Sequence, residues 1–306
     1  MVAGGAGLIG SAMCARLLER GDEVVCVDNL LTGSAENVEA LRGRPGMTFV
    51  EADVCGSLPK LGPLDAIVNL ACPASPVDFG LLGIEIMQVG SRGVAELLDL
   101  ARHHGATFLQ ASTSEIYGEP LVHPQPESYW GNVNPVGPRS VYDEAKRFGE
   151  ALTAAHRRRY GTDVRIARIF NTYGPRMRAD DGRVVSNFVT QALRGEPITV
   201  YGDGSQTRSF CDVEDEVEGL LALLDSDYTE PVNVGNDEER TVREMAELVL
   251  KLTGSESEIV YRDRPVDDPT QRRPDLSVAR GVLGWQPTTS LEDGLSRTIE
   301  WFRNRI

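Results

Sequence analysis

Lysine is nearly absent from this chain: Lys60, Lys146 and Lys251 stand against 28 arginines in 306 residues. Positive charge is scarce as a class, with 31 basic residues against 46 acidic ones and a formal net charge of −15. A surface of that sign repels phosphate backbones and anionic lipid, which excludes nucleic acid and membrane surfaces as general partners. It leaves room for a local arginine cluster to hold a small anion, because distant charges are screened beyond ~8–10 Å. Cysteines are few (14, 26, 55, 72 and 211) and form no Cys-x-x-Cys pair. They read as reduced thiols of a cytoplasmic protein. The four histidines lack the spacing of a metal site, so no metal is expected. No apolar run approaches the ~18 residues of a membrane span, and no signal peptide precedes the first motif.

That first motif opens the chain. Val2-Ala3-Gly4-Gly5-Ala6-Gly7-Leu8-Ile9-Gly10 places glycines at 4, 7 and 10 ahead of a helical stretch from Ser11 to Arg20. The apolar run Val24-Val25-Cys26-Val27 follows and ends in Asp28. Strand, turn, helix, strand and terminal acid, in that order, form a dinucleotide site. The glycines let the backbone approach a pyrophosphate at the helix N-terminus, and the acid takes the ribose hydroxyls. Asp28 would repel a 2′-phosphate, which selects NAD over NADP. Only Met1 to Ala3 precede Gly4, so the first strand is either truncated or unusually short.

The second motif is Tyr142-Asp143-Glu144-Ala145-Lys146. On a helix, Tyr142 and Lys146 lie one turn apart on one face. An ammonium beside a phenol favours the phenolate, so Tyr142 is expected to act as a base with its pKa lowered by Lys146. Such a base takes an alcohol proton as hydride leaves the same carbon. The third motif is Ser112-Thr113-Ser114-Glu115, directly after an apolar strand. Its hydroxyls and carboxylate either face a substrate at the strand end or cap a short helix.

Strand-like runs at 47–50, 66–70, 107–111 and 164–170 alternate with helical patterns near 84–104 and 140–160. The expected fold is α/β, a Rossmann-type doubly wound parallel sheet with a smaller C-terminal substrate-binding lobe. Residues 1–170 would form the NAD-binding domain, joined by elements returning from about 212–240. Residues 171–211 and 241–306 would form the lobe, over the strand ends where ligands bind.

Longer stretches carry a family resemblance. They include Gly4 to Gly10, Asp28-Asn29 with Thr32-Gly33, Pro73-Ala74-Ser75-Pro76, Ser112 to Gly118, His123-Pro124-Gln125 and Tyr129-Trp130-Gly131. Asn134 to Arg139, Ile169 to Met177, Asp181 to Phe188, Gly204 to Arg208 and Asp267-Asp268-Pro269 through Arg272 to Asp275 continue it. The chain resembles the extended short-chain dehydrogenase/reductases, and among them the UDP-glucuronate decarboxylases, nearly end to end. Thr113-Ser114-Glu115 separates it from sugar 4,6-dehydratases, which typically show Thr-Asp-Glu there.

The resemblance implies a redox-neutral decarboxylation of UDP-glucuronate to UDP-xylose through a 4-keto intermediate. It implies a catalytic set of Tyr142, Lys146, Thr113, Glu115 and Arg272, with Glu115 and Arg272 bracketing the substrate carboxylate. NAD would be held by Gly4, Gly7, Leu8, Ile9, Gly10, Asp28, Asn29, Thr32, Gly33, Asp53 and Val54. Leu70, Cys72, Ala111, Tyr142, Lys146 and Thr172 would complete that site. The UDP-sugar would meet Asn171, Arg183, Asn187, Tyr201, Gln206 and Arg208 besides Glu115 and Arg272. A homodimer built on the helices around 84–104 and 140–160 is also implied, with Ile84, Met87, Leu97, Phe148 and Leu152 at the interface or against the sheet.

The chain departs from the family pattern at Ala3, Asn69, Cys72, Gln88, Gly90 and Asp212, which puts affinity and helix geometry near 88–90 in question. Arg272-Arg273 also reads as a solvated pair. Two other readings remain open: a 4-epimerase or 4,6-dehydratase of the same family, and a non-catalytic NAD-binding sensor.

Overall fold

The computed structural model describes residues 1–306. Seven parallel strands form the central sheet, in the order Pro231–Val234, Val164–Ile169, Thr107–Thr113, Ala66–Asn69, Val2–Ala3, Val24–Asp28 and Met47–Glu51. The chain fills one side of Val2–Ala3 and then crosses to the other. The strand order therefore reverses between Val2–Ala3 and Ala66–Asn69, which opens a crevice at their carboxyl ends. The first strand spans Val2–Ala3, and Gly4, at a φ of 77°, turns the chain at its carboxyl end. It still pairs on both edges, with Val2 opposite Cys26 and Val68.

Alternation along each strand divides the core. Val2, Val24, Cys26, Val68 and Leu109 point to one face, under the helices Leu8–Glu19 and Val213–Leu224. Ala3, Val27, Ile67 and Phe108 point to the other, under Val94–His104 and Ser140–Tyr160. All five cysteines are free, and Cys14, Cys26 and Cys211 are buried. No helix is long and apolar enough to cross a membrane.

The helix Val213–Leu224 and the strand Pro231–Val234, which pairs with Val164–Ile169, complete this layer. The other late elements build a second core. Phe188, Val189, Met245, Val249, Leu295 and Phe302 join the helices Val184–Arg194, Val242–Thr253 and Leu291–Arg303. Asp212 earns its place at the seam. Its carboxylate accepts from the Glu214 N–H to cap Val213–Leu224 and pairs with Arg297 at 2.9 Å.

The helical pattern near 84–104 is not one helix. A π-helical turn at Val89–Gly93 separates Gly83–Gln88 from Val94–His104. Gly90 sits in that turn, and a Cβ there would stand 2.6 Å from the Ala145 methyl. The absent side chain lets the turn press against the helix that carries Tyr142 and Lys146.

Candidate active site

A cavity of about 370 Å³ lies over the carboxyl ends of the strands, walled by the glycine loop on one side and the smaller lobe on the other. A second cavity of about 130 Å³ adjoins it, sharing Gly4, Gly7, Thr32, Leu70 and Cys72. Of the positions nominated from the sequence, all but Arg272 line one or the other. Gly10, Ala111, Thr113, Glu115, Tyr142, Lys146, Asn171, Thr172, Arg183, Asn187, Tyr201, Gln206 and Arg208 face the larger. Asp28, Asn29, Gly33, Asp53 and Val54 face the smaller.

The glycine loop is built for close approach. A side chain on Gly10 would run into the Gly4 carbonyl, so the helix Leu8–Glu19 can start only where this residue is glycine. Asp28, at the end of its strand, accepts from the N–H groups of Ala6 at 2.9 Å and Leu30 at 2.8 Å. Burial raises its carboxyl above the usual range, against those two bonds. Sugar hydroxyls would supply further donors. Gln88 lines this smaller cavity beside Asp28 and Asp53, not the wall facing the substrate lobe. Asn69 is spent inside the fold, donating to Gln110 at 3.0 Å and accepting from the Ala71 N–H.

Tyr142 stacks on Phe79 with ring centroids 5.1 Å apart. Burial pushes its phenol well above the ordinary value; Cys72 and Glu115 act in the same direction, while the Thr113 hydroxyl and Arg183 oppose them. Lys146 does not bring it below the ordinary value, because burial outweighs the neighbouring charge. The Lys146 ammonium donates to the Ala111 carbonyl at 2.9 Å and stands 5.7 Å from the Tyr142 ring centroid. The sequence shows the one-turn spacing but not the carbonyl that captures the ammonium, nor the depth of burial.

The third motif both caps a turn and lines the cavity. Thr113 caps a single turn, Ser114–Tyr117, by accepting from the Glu115 N–H, and that turn aims Glu115 into the cavity. Burial alone would raise the Glu115 carboxyl, but Arg272 and Arg139 override it and hold it at about 2. Arg139 binds Glu115 at 2.6 Å, and Arg272 lies 3.6 Å away.

Arg272 is neither a solvated charge nor a cavity-lining clamp. It is 1 % exposed and donates to the carbonyls of Ser114 and Gly118, fixing the turn from behind. Arg139 does line the cavity, yet only its place before the helix distinguishes it in the sequence. Phe79, which also lines it, was equally silent there.

Opposite Glu115, Arg208 pairs with Asp268 at 3.1 Å, and Arg183 grips Asp181 at 2.5 and 2.9 Å. Asn187 donates to the Gly182 carbonyl and Gln206 to the Tyr201 carbonyl. These arginines are pre-oriented for an anion, each held by a carboxylate in a partly buried wall.

Residues 1–235 match the NAD dependent epimerase/dehydratase family. The chain is 50% identical over 306 residues to UDP-glucuronic acid decarboxylase 1 of Arabidopsis thaliana, covering all of this chain and 70% of that protein. Among solved structures it is similar to a dTDP-glucose 4,6-dehydratase of Streptomyces venezuelae with NAD bound, at 29% identity, a TM-score of 0.91 and coverage of 99% and 96%. It is also similar to a UDP-glucuronic acid 4-epimerase of Bacillus cereus in complex with UDP-glucuronic acid and NAD, at 26% identity, a TM-score of 0.88 and coverage of 99% and 98%.

Proposed function

The chain belongs to the NAD dependent epimerase/dehydratase family, and from that premise we propose that it decarboxylates UDP-glucuronate to UDP-xylose with NAD recycled in the site. The observation that carries this reading is half-identity to a UDP-glucuronic acid decarboxylase over the whole chain. Glu115 and its two arginines supply the local chemistry. The epimerase and dehydratase likenesses are weaker, at 26% and 29% identity. A sensor would have no use for the proton-handling set.

The cradle left by Gly4, Gly7 and Gly10, with Asp28 at the strand end, fits a dinucleotide. NAD held there would accept hydride from C4 of the sugar, return it later, and bring a cationic ring into a cleft whose burial favours the neutral phenol. Tyr142 takes the 4-hydroxyl proton and gives it back to the same oxygen at the end. Thr113, beside it, bonds that oxygen. Lys146, anchored on Ala111, sets the electrostatic background.

Once C4 is a ketone, the sugar is a β-keto acid, and loss of CO₂ leaves an electron pair delocalised onto the ketone oxygen. Asn171, Arg183, Asn187, Tyr201, Gln206 and Arg208 hold the uridine diphosphate in the smaller lobe. Glu115, fixed by Arg139 and Arg272, faces the sugar. The protein works as a cytoplasmic homodimer; free cysteines and an apolar helix face support that part of the reading.

Incubation of the protein with NAD and UDP-glucuronate, followed by mass spectrometry of the nucleotide sugar, tests the proposal. UDP-xylose and CO₂ are expected. Conversion to an isobaric epimer, or turnover of dTDP-glucose instead, would replace the decarboxylase reading.

A further inference from the structure

A uronate carries its carboxylate two bonds from C4, the carbon whose hydroxyl Tyr142 deprotonates. A cation that recognises that carboxylate must therefore stand beside Tyr142. The family resemblance nominated Arg272, but its guanidinium lies behind the Ser114–Tyr117 turn, donates to two carbonyls and lines neither cavity. Arg178, Arg183 and Arg208 do line the larger cavity. Each is already committed twice: Arg178 to both Asp78 oxygens, Arg183 to both Asp181 oxygens, and Arg208 to Asp268 and the Thr207 carbonyl. Arg176 belongs to the glycine-loop side, where its carbonyl accepts from the Asn37 amide that also bonds the Ala6 carbonyl.

Arg139 is differently placed. It immediately precedes the helix Ser140–Tyr160, and the Tyr142 N–H donates to its carbonyl at 3.0 Å. Phe79 ties the two side chains together. Tyr142 stacks on that ring at 5.1 Å, and the Arg139 guanidinium carbon stands 5.6 Å from the same ring's centroid. One nitrogen, Nη2, donates to Glu115 at 2.6 Å, while Nε and Nη1 have no acceptor in the protein. The side chain lines the larger cavity together with Glu115, Phe79 and Tyr142. A guanidinium offers five N–H groups in one plane, enough to serve two carboxylates along different edges. Glu115 alone would repel a uronate, whereas a cation shared between the two carboxylates attracts both.

We infer, resting on the decarboxylase reading, that Arg139 binds the C6 carboxylate of the sugar and so selects a uronate over a neutral hexose. Glu115 holds one edge of the guanidinium and Phe79 supports its face. A hexose that ends in a hydroxymethyl group forfeits the charge-assisted bonds to the other edge. Arg139 thus sets which sugar nucleotide the site accepts, and Arg272 sets where Glu115 stands.

The test titrates UDP-glucuronate and UDP-glucose by calorimetry into the NAD-loaded protein carrying Tyr142→Phe, which keeps the stacked ring and prevents turnover. That protein should prefer UDP-glucuronate by about tenfold or more, the worth of one charge-assisted bond. Adding Glu115→Gln should keep the preference. Adding Arg139→Gln as well should abolish it, weakening UDP-glucuronate by about 10–100-fold and leaving UDP-glucose within about threefold. The last two changes together strand neither charge of the pair, so the fold is retained.

A preference that survives Arg139→Gln overturns the inference. So does a loss that strikes both sugars alike, which would make Arg139 structural. A loss already complete in Glu115→Gln would assign recognition to Glu115, and equal affinities before either change would leave no recognition to assign. UDP-xylose formation by the unsubstituted protein is read separately. Its absence sinks the decarboxylase reading, while the two affinities still decide what Arg139 does.

Discussion

Replacing Tyr142 with phenylalanine keeps the ring that stacks on Phe79 and removes only the oxygen that exchanges a proton with the sugar. Turnover should fall by roughly 10²–10⁴-fold, the usual contribution of a positioned acid–base group, while NAD affinity stays near the parent value. Near-normal UDP-xylose formation by this variant would remove Tyr142 from the proton exchange. Glu216 makes a prediction about stability. Its side chain is fully buried beside Thr172, whose single hydroxyl hydrogen serves the Phe170 carbonyl at 2.9 Å. The Thr172 oxygen, 3.2 Å from Glu216, is then free to accept from a protonated acid. Burial raises the Glu216 carboxyl from 4.5 to about 8. Between those values the folded chain keeps a proton that the unfolded chain has released, so stability falls as pH rises through that window. Glu216→Gln keeps a donor and removes the titration. Its melting temperature should exceed the parent's at about pH 8.5, by roughly 2–4 °C per kcal/mol, and converge with it near pH 5. Equal shifts at both pH values would show that Glu216 does not titrate. Residues whose chemistry demands one type at one spacing, such as Tyr142 and the Gly4–Asp28 set, were legible in the sequence. Arg139 and Phe79 were not, because their roles arise from contacts made only after folding. The direction of the Tyr142 shift was misread for the same reason, since burial outweighs a neighbour four residues away.

Strand alternation announced the sheet, and its strands lie within a few residues of the apolar runs that signalled them. The π-helical turn at Val89–Gly93 was hidden, because nothing in the local pattern distinguishes it from a continuing helix. What Gly90 does there depends on Ala145, more than fifty positions on. The strand Gln271–Arg272 is also invisible locally: it is two residues long and exists by pairing with Thr207 and Arg208. That strand delivers Arg272 to the back of the Ser114–Tyr117 turn. Arg272→Ala would leave the Ser114 and Gly118 carbonyls without their donor and Glu115 with Arg139 alone. Breaking a buried pair in this way costs about 3–5 kcal/mol, so the melting temperature should fall. Among molecules that remain folded, UDP-xylose formation should drop further than reduction of NAD, because Tyr142 and the glycine loop are untouched. Comparing product yield with absorbance of the reduced nicotinamide separates the two. Parent-like yields of both would reduce Arg272 to a packing residue.

At the scale of the whole molecule, one apolar surface has no place in the monomer. The helices Gly83–Gln88 and Ser140–Tyr160 pack side by side, yet Ile84 is 68 % exposed, Met87 43 % and Phe148 50 %. Leu97 is fully buried against the sheet and Leu152 packs beside it, so the five positions nominated for an interface divide three to two. Leu81, just ahead of the first helix, extends the exposed row. Apolar side chains contiguous on two adjacent helices normally mark a contact surface. Paired about a twofold axis, the two helices would meet the same pair from a second copy and bury that row in a four-helix layer. Met87 and Phe148 belong to the helices that carry Gln88 at the smaller cavity and Tyr142 at the larger one. Association would therefore stiffen both cavities from behind. Sedimentation of the parent across micromolar concentrations should give twice the chain mass of 33.4 kDa. Ile84→Glu combined with Phe148→Glu should give the single-chain mass, with the secondary structure unchanged because neither side chain belongs to the core. A parent that sediments as a single chain throughout that range would leave the exposed row for some other partner and remove the dimer from the proposal.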